Sequence, residues 1–158
     1  MAVIVPEDHA HLPETDLMIF IRRPRPTDQG FIASTWVDSM MFGQKGGPKH
    51  PRSGANVLVD KMLDDPAVRL LVASEPAKTD VILGWLCYTP LPKTLVLHYI
   101  YVRDRMRHRG IARQLLIQAN RNGWSKLAYT MRGPDADGLL EKNPGAVYVP
   151  IDEFLGDL

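Results

Sequence analysis

The sequence predicts a mixed α/β or α+β domain organised around one twisted sheet. Three β-rich runs follow one another closely in the middle of the chain, and segments with a helical spacing of apolar residues precede and follow them. The chain has 158 residues, of which 45% are hydrophobic and 23% charged, and this length suits one core rather than two. We therefore expect a single domain over residues 17–158, preceded by a flexible arm over residues 1–16.

The first predicted elements are a short strand and a helix. Residues 17–22 (LMIFIR) are apolar and end just before Pro24, which is typical of a strand that stops there. Thr27 and Asp28 are residue types that cap the N-terminus of a helix. The helix that follows would place three apolar side chains on one face: Ile32, Trp36 and Met40.

A loop and a second helix come next. Residues 43–54 (GQKGGPKHPRSG) are rich in Gly, Pro and Lys, so they are predicted to form an exposed loop. Residues 56–63 carry apolar side chains at helical spacing, and the Asp65-Pro66 pair stops this helix.

The middle of the chain predicts a three-strand meander. Residues 68–74, 81–89 and 94–102 are rich in β-branched and aromatic types. Their connections, EPAKTD and PLPK, are too short for the crossover that parallel neighbours need. The three strands are therefore expected to be antiparallel.

The last third predicts one amphipathic helix among weaker elements. Residues 111–122 have helical spacing of apolar side chains, and Gly123 lies just past their end. Four further elements complete the chain: a strand over residues 126–131, a weak helix over 135–142, a short strand over 146–149 and a final turn over 152–158.

Charge and cysteine content exclude several classes of protein. Lys and Arg number 19 against 18 Asp and Glu, so a globally basic nucleic-acid-binding protein is not expected. The single cysteine, Cys87, excludes an intramolecular disulfide and a cysteine-built zinc site, and we expect it to be a buried apolar residue. No apolar run approaches the roughly 18 residues of a membrane span, and the first residues lack a signal-peptide pattern. A cytoplasmic protein without a metal, a membrane contact or a nucleic-acid partner is the expectation.

The segment between the meander and the helix of residues 111–122 carries the clearest chemistry. Together with the first turn of that helix it contains one acidic residue, Asp104, one histidine, His108, and five arginines: Arg103, Arg105, Arg107, Arg109 and Arg113. A helix N-terminus presents unpaired backbone N–H groups at the positive end of the helix dipole, and Gly110 lets a ligand approach the main chain because it has no Cβ. The segment therefore predicts an anion cradle suited to a phosphate or pyrophosphate. The alternative is a solvated arginine patch on the surface.

Residues 107–112 (RHRGIA) fit the R/Q-x-x-G-x-G/A signature of the GNAT superfamily of N-acetyltransferases. The signature follows a hydrophobic strand and precedes a helix that carries Leu115 and Leu116, as it does in that superfamily. The chain resembles the superfamily over about residues 17–131, including the order strand, two helices, meander. The resemblance implies an α+β fold of three layers, with a central, mostly antiparallel twisted sheet flanked by helices and a shortened C-terminal part.

The resemblance also implies that acetyl-CoA is the co-substrate, bound where the central strand splays from its neighbour. Main-chain groups of three residues would bond the pantetheine arm: Ile100, Tyr101 and Val102. The amides of six residues would hold the pyrophosphate: His108, Arg109, Gly110, Ile111, Ala112 and Arg113. Arg107 would flank the pyrophosphate, and Arg103 or Arg105 would meet the 3′-phosphate.

The implied reaction is direct attack of a primary amine on the thioester, and it favours a general base. A lysine-like amine costs about 4.6 kcal/mol to deprotonate at pH 7, and histidine is the side chain best suited to accept a proton at this pH. His98 lies on the strand before the signature, similar to a catalytic-strand histidine of one superfamily member. Period-two alternation predicts two faces for this strand, with His98, Ile100 and Val102 on one and Leu97, Tyr99 and Tyr101 on the other. The alternative role for His98 is a hydrogen-bonded core histidine.

The general acid is the part of the resemblance from which this chain departs. Many members of the superfamily carry a tyrosine on a helix after the fifth strand, whereas here the stretch after Met131 is rich in Gly and Pro. Tyr129 and Tyr148 are the two candidates, and packing is the alternative role of each. A CoA thiolate is also a tolerable leaving group, so the reaction need not use an acid.

The predicted function is acetyl-CoA-dependent N-acetylation of a primary amine on a small molecule, a peptide N-terminus or a lysine. The loop of residues 43–54 carries four basic residues and no acid, which predicts an acceptor with negative charge near its amine: Lys45, Lys49, His50 and Arg52. Two alternatives stay open: a catalytically weak or inactive protein of the same fold that binds CoA or serves in a complex, and an unrelated phosphate- or nucleic-acid-binding domain. The oligomeric state is open as well, with a homodimer as one alternative.

Overall fold

The computed structural model describes residues 17–42 and 51–151, whose strands form one mixed sheet. The strands are β1 (Phe20–Arg22), β2 (Arg69–Ser74), β3 (Ile82–Leu91), β4 (Thr94–Val102), β5 (Lys126–Tyr129) and β6 (Val147–Tyr148). They lie side by side in chain order. The first four pair antiparallel with one another, whereas β5 runs parallel to both β4 and β6.

Helices cover both faces of this sheet. Within the described residues they are α1 (Gln29–Phe42), α2 (Arg52–Asp64), α3 (Ile111–Ala119) and α4 (Asp137–Glu141). Helices α1 and α2 contribute to an aromatic core that contains Trp36, Trp85 and Tyr99. Helices α3 and α4 contribute to an aliphatic core on the other face, with Leu97 and Leu115 among its members. The three layers confirm the predicted α+β fold class.

The predicted antiparallel meander is confirmed as β2, β3 and β4. The bounds of β4 are those predicted, and those of β2 and β3 differ by one or two residues, the largest difference being the extension of β3 to Leu91. That extension pairs Leu91 with Thr94 across a tight turn in which Lys93 has a φ of 66°. Cys87 of β3 is fully buried, as predicted, and burial raises the pKa of its thiol well above the usual range.

Other bounds differ from the sequence predictions for identifiable reasons. Strand β1 begins only at Phe20, because its ladder with β2 starts at the pair Phe20–Ser74 and leaves residues 17–19 without a strand partner. Helix α2 begins at Arg52, four residues before its predicted start, and this earlier turn brings Ala55 into the core at 0% exposure. The gain of a buried contact outweighs the weak helix propensity of the Ser-Gly pair in that turn.

Several predictions fall outside the described residues. These are the arm of residues 1–16, the final turn of residues 152–158 and three of the four basic residues of the acceptor loop: Lys45, Lys49 and His50. Among residues 17–42 and 51–151, no helix combines the length and the apolar character needed to cross a membrane.

Candidate active site

The central feature of the site is the divergence of β4 from β5. The two strands are paired from Thr94–Lys126 to Leu97–Tyr129, and one further bond joins the Thr130 N–H to the Leu97 carbonyl at 3.0 Å. Beyond this point β4 continues to Val102, whereas the segment that follows β5 turns away from β4 into a 3-10 turn, Pro134–Ala136. A wedge therefore opens along the second half of β4.

Main-chain groups of β4 point into this wedge. The Val102 N–H is directed away from β3, because its hydrogen-bond acceptor belongs to residue 135 on the far side of the wedge. Backbone N–H groups two residues apart on a strand point the same way, so the Ile100 N–H faces the wedge too. The Tyr101 peptide groups face Trp85 of β3 instead. Of the three residues predicted to bond a pantetheine arm, Ile100 and Val102 have the required orientation.

His98 is the extra residue of a β-bulge in β4. Cys87 pairs with Tyr99 and Tyr88 pairs with Leu97, so no residue of β3 lies opposite His98. Its side chain has 0% exposure, with Nε2 2.8 Å from the Thr89 hydroxyl and Nδ1 2.9 Å from the Thr130 hydroxyl. Burial lowers the pKa of His98 to about 4, an effect that the more distant Asp65 carboxylate only partly opposes. The imidazole is therefore neutral at pH 7.

The bulge also corrects the predicted division of β4 into two faces. Leu97 packs in the aliphatic core together with Ile100 and Val102, whereas Tyr99 and Tyr101 pack on the aromatic side. The prediction that Leu97 shares a face with Tyr99 is wrong. The inserted residue shifts the alternation by one position, which a strict period of two cannot anticipate.

The predicted anion cradle forms a tight loop that leads into α3. His108 has a φ of 63° and Gly110 a φ of 82°, so the main chain is left-handed at both residues. Gly110 is the N-cap of α3, and the Ile111 and Ala112 N–H groups of its first turn have no intrahelical acceptor. The arrangement presents consecutive backbone donors at a positive helix terminus, which suits an oxyanion.

The segment before β1 braces this loop from behind. The Leu17 N–H donates to the Arg109 carbonyl at 3.0 Å, and the Gln114 side-chain amide donates to the Leu17 carbonyl at 3.0 Å. Arg105, His108 and Arg109 are exposed, as is Arg103. Arg103 points elsewhere, since its Nε donates to the Ile82 carbonyl and its guanidinium lies 5.0 Å from the centre of the Phe31 ring.

Asp135 is a member of the site that no sequence motif predicts. Its Oδ2 accepts the Val102 N–H at 2.9 Å, and its Oδ1 forms an ion pair with Arg107 Nε at 2.9 Å. Arg107 also donates through Nη1 to Asp104 at 3.0 Å. The Asp135 side chain is only 8% exposed, and this burial raises its pKa although Val102 and Arg107 act in the opposite direction. Arg107 therefore faces two carboxylates instead of an open surface.

The Tyr99 hydroxyl lies at the inner end of the wedge. The residue is 1% exposed, and its ring packs against both Trp36 and Trp85, each 5.8 Å away between ring centroids. The hydroxyl lies so close to Gly133 that a Cβ at that position would overlap it. Burial raises the pKa of Tyr99 to about 12, so the phenol is protonated at pH 7.

The two tyrosines proposed from sequence as general acids lie together, away from Tyr99. Tyr129 and Tyr148 are neighbours on β5 and β6, with ring centroids 5.5 Å apart. Tyr129 packs against the aliphatic core, whereas Tyr99 belongs to the aromatic core on the other face of the sheet. Tyr148 is 46% exposed at the edge of the sheet. A group of metal-ligating residues is not found in the described part of the chain.

The comparison with protein families identifies the chain. A family model described as the acetyltransferase (GNAT) family matches residues 31–122, more than half of the chain, and the chain belongs to this family. The predicted resemblance is thereby confirmed. Membership supports an acyltransferase, and acetyl transfer as its general activity.

Solved structures of acetyltransferases share the fold. A ribosomal-protein-alanine N-acetyltransferase from Brucella melitensis biovar Abortus 2308 is 22% identical, with 84% of this chain and 94% of that chain covered and a TM-score of 0.55. The PaiA N-acetyltransferase from Thermoplasma acidophilum, in complex with coenzyme A, is 12% identical, with 81% and 88% covered and a TM-score of 0.54. An aminoglycoside N-acetyltransferase in complex with CoA is 16% identical, with 88% and 87% covered and a TM-score of 0.51. No curated protein matches the chain.

Proposed function

We propose that the chain is an acetyl-CoA-dependent N-acetyltransferase that acts on a primary amine. The observation that carries this proposal is the left-handed loop at His108 and Gly110, which follows β4 and leads directly into the N-terminus of α3. A diphosphate fits this loop, because oxyanions bind consecutive backbone donors at a helix N-terminus. The CoA complexes of the PaiA and aminoglycoside enzymes, which share the fold, add support.

The proposed binding mode follows the residues in order along the site. The amides of residues 108–113 hold the diphosphate, with Arg107 beside it. Arg105 is the better partner for the 3′-phosphate, since it is exposed and Arg103 is already bonded on the far side of β4. The Ile100 and Val102 main chain receives the pantetheine arm along the wedge.

The chemistry proposed for the site is direct transfer. The neutral amine of the acceptor attacks the thioester carbonyl carbon, a C–N bond forms, and the C–S bond breaks with release of the CoA thiolate. The proton lost by the nitrogen passes to a base or to water, and the thiolate takes a proton in turn. Tyr99 is the protonated phenol nearest the inner end of the wedge, while Tyr129 and Tyr148 stay predictions that the assay below can test.

The role of His98 as a base also stays a prediction. Its burial and its two threonine partners favour a positioning role, in which the imidazole fixes the bulge of β4 and the Thr130 end of β5. Either role lowers turnover in His98→Gln, and the fold loses two buried hydrogen bonds in either case, so a changed pH dependence of kcat is the readout that would indicate a base. The preference for an acceptor with negative charge near its amine likewise stays a prediction, which charge reversal at Lys45 and Lys49 would test through KM.

Two assays test the proposed function. Acetyl-CoA and CoA, but not ATP, should raise the unfolding temperature, with a stabilisation of about 2.7 kcal/mol at a ligand concentration of 100 times Kd. Release of free thiol from acetyl-CoA should then depend on the amine when a panel of polyamines, amino sugars, peptides and lysine derivatives is supplied. Stabilisation by CoA without amine-dependent thiol release would support the alternative of an inactive CoA-binding protein. No stabilisation by either coenzyme would refute the proposal.

A further inference from the structure

We propose that residues 133–137 form a displaceable strap, which competes with the pantetheine arm for β4 and uses the Asp135 carboxylate as the competing acceptor. The inference rests on the proposed function, because it concerns the same wedge. In this proposal the strap lowers the affinity of the chain for the coenzyme.

The competition centres on the Val102 N–H. This donor is one of the two main-chain donors that β4 directs into the wedge, and Asp135 Oδ2 already accepts from it at 2.9 Å. A carbonyl oxygen of an incoming pantetheine arm would need the same place, because the N–H is directed at a single acceptor. The arm and the carboxylate therefore exclude each other at this position.

The strap also contacts Arg107, the residue directly before the loop. Arg107 lies between Asp135 at 2.9 Å and Asp104 at 3.0 Å, so two negative charges surround one positive charge. A diphosphate beside the loop would meet a cation whose charge is already compensated. Withdrawal of Asp135 would leave Arg107 one carboxylate and restore its attraction for the diphosphate.

The contacts of the strap show which part must move. Its downstream end is anchored, since Ala136 is 2% exposed and Leu139 and Leu140 of α4 are buried in the aliphatic core. Its upstream end touches Tyr99 through Gly133. The Asp135 side chain, in contrast, is held by two polar contacts in a site whose burial disfavours its charge. Rotation of this side chain is the smallest movement that releases both Val102 and Arg107.

The test compares CoA binding by the wild-type chain, Asp135→Ala and Asp135→Asn, measured by isothermal titration calorimetry. The matched control is Glu141→Ala, which removes an equal charge from an exposed position at the end of α4, outside the strap. Asp135→Ala should bind CoA about tenfold more tightly than wild type, since a charge-assisted bond no longer has to be broken. Asp135→Asn keeps the shape of the side chain and should show a smaller gain, which protects the test against a folding defect in the alanine variant. Glu141→Ala should match wild type.

A second ligand separates competition at Val102 from a general effect of charge. Adenosine 3′-phosphate 5′-diphosphate keeps all three phosphates of CoA but lacks the pantetheine arm, so it should gain less than CoA from Asp135→Ala. Equal gains for both ligands, or unchanged or weaker CoA binding in the Asp135 variants, would overturn the strap while leaving the proposed function intact. Absence of CoA binding in the wild type and in every variant would refute the proposed function and the strap together.

Discussion

Replacement of His98 by glutamine should remove a large part of the pH dependence of folding. In the folded protein burial holds the pKa of His98 at about 4, against 6.5 for an exposed histidine. Between these two values the unfolded chain binds a proton that the folded chain does not. The free energy of unfolding therefore falls as the pH is lowered through 6.5, and this contribution levels off below pH 4.

The magnitude follows from the same two pKa values. A shift of one unit corresponds to 1.36 kcal/mol, so the loss is about 2 kcal/mol at pH 5 and about 3 kcal/mol once the pH is well below 4. His98→Gln is itself destabilised at pH 7, because Thr89 and Thr130 lose an imidazole partner. The quantity to compare is the difference between variant and wild type, which should shrink by about 2 kcal/mol from pH 7.5 to pH 5.

Urea unfolding at pH 7.5, 6 and 5 measures this difference. His108→Gln is the matched control, since His108 is exposed on the loop and the same substitution there removes no buried imidazole. Carboxylates that titrate below pH 5 affect all three proteins alike and cancel in the comparison. A difference between His98→Gln and wild type that is constant from pH 7.5 to pH 5 would refute a buried, neutral His98.

Two further predictions concern packing and charge. Gly133→Ala should lower the free energy of unfolding by about 1–3 kcal/mol, because its Cβ would overlap the Tyr99 hydroxyl. In the control Gly138→Ala the Cβ meets open space within a helix, so the free energy of unfolding should be unchanged or rise by up to about 1 kcal/mol. Equal effects of the two substitutions in thermal unfolding would contradict the tight contact at Gly133. Asp28→Asn should lower the free energy of unfolding by about 3 kcal/mol, because it removes one charge of the ion pair with Arg22, whose side chains are only 7% and 5% exposed. Asp38→Asn breaks an exposed ion pair with Arg52 and should lower the free energy of unfolding by less than about 1 kcal/mol. Urea unfolding of both variants checks this, and similar losses would show that burial of the first pair is not decisive.

The sheet was predictable from sequence where local rules decide it. Short connections around residues 75–80 and 92–93 leave antiparallel pairing as the only geometry for β2, β3 and β4. The loop before α3 was predictable too, because Gly110 and the arginines around it combine a left-handed position with a helix N-terminus. Both features depend on residues that are close together in the chain.

The features that sequence could not supply depend on contacts between distant residues. The bulge at His98 inserts one residue into a run whose composition is uniformly β-like, so no pattern marks it. Asp135 and Val102 are 33 positions apart, and the stretch RGPDADG around the aspartate has the composition of an ordinary turn. A carboxylate in such a stretch is usually solvated, and only the return of the chain across the wedge buries this one.

Calorimetric titration of CoA into matched glycine variants tests whether the loop before α3 binds the diphosphate of the coenzyme. Gly110 and Gly123 both have a positive φ, so glutamate introduces similar backbone strain and the same charge at each, inside the loop at one position and beyond the end of α3 at the other. We expect wild type and Gly123→Glu to bind CoA with similar affinity and Gly110→Glu to lose binding by tenfold or more, about 1.4 kcal/mol at least. Equal affinity in all three proteins would show that the coenzyme's diphosphate does not bind at the start of α3.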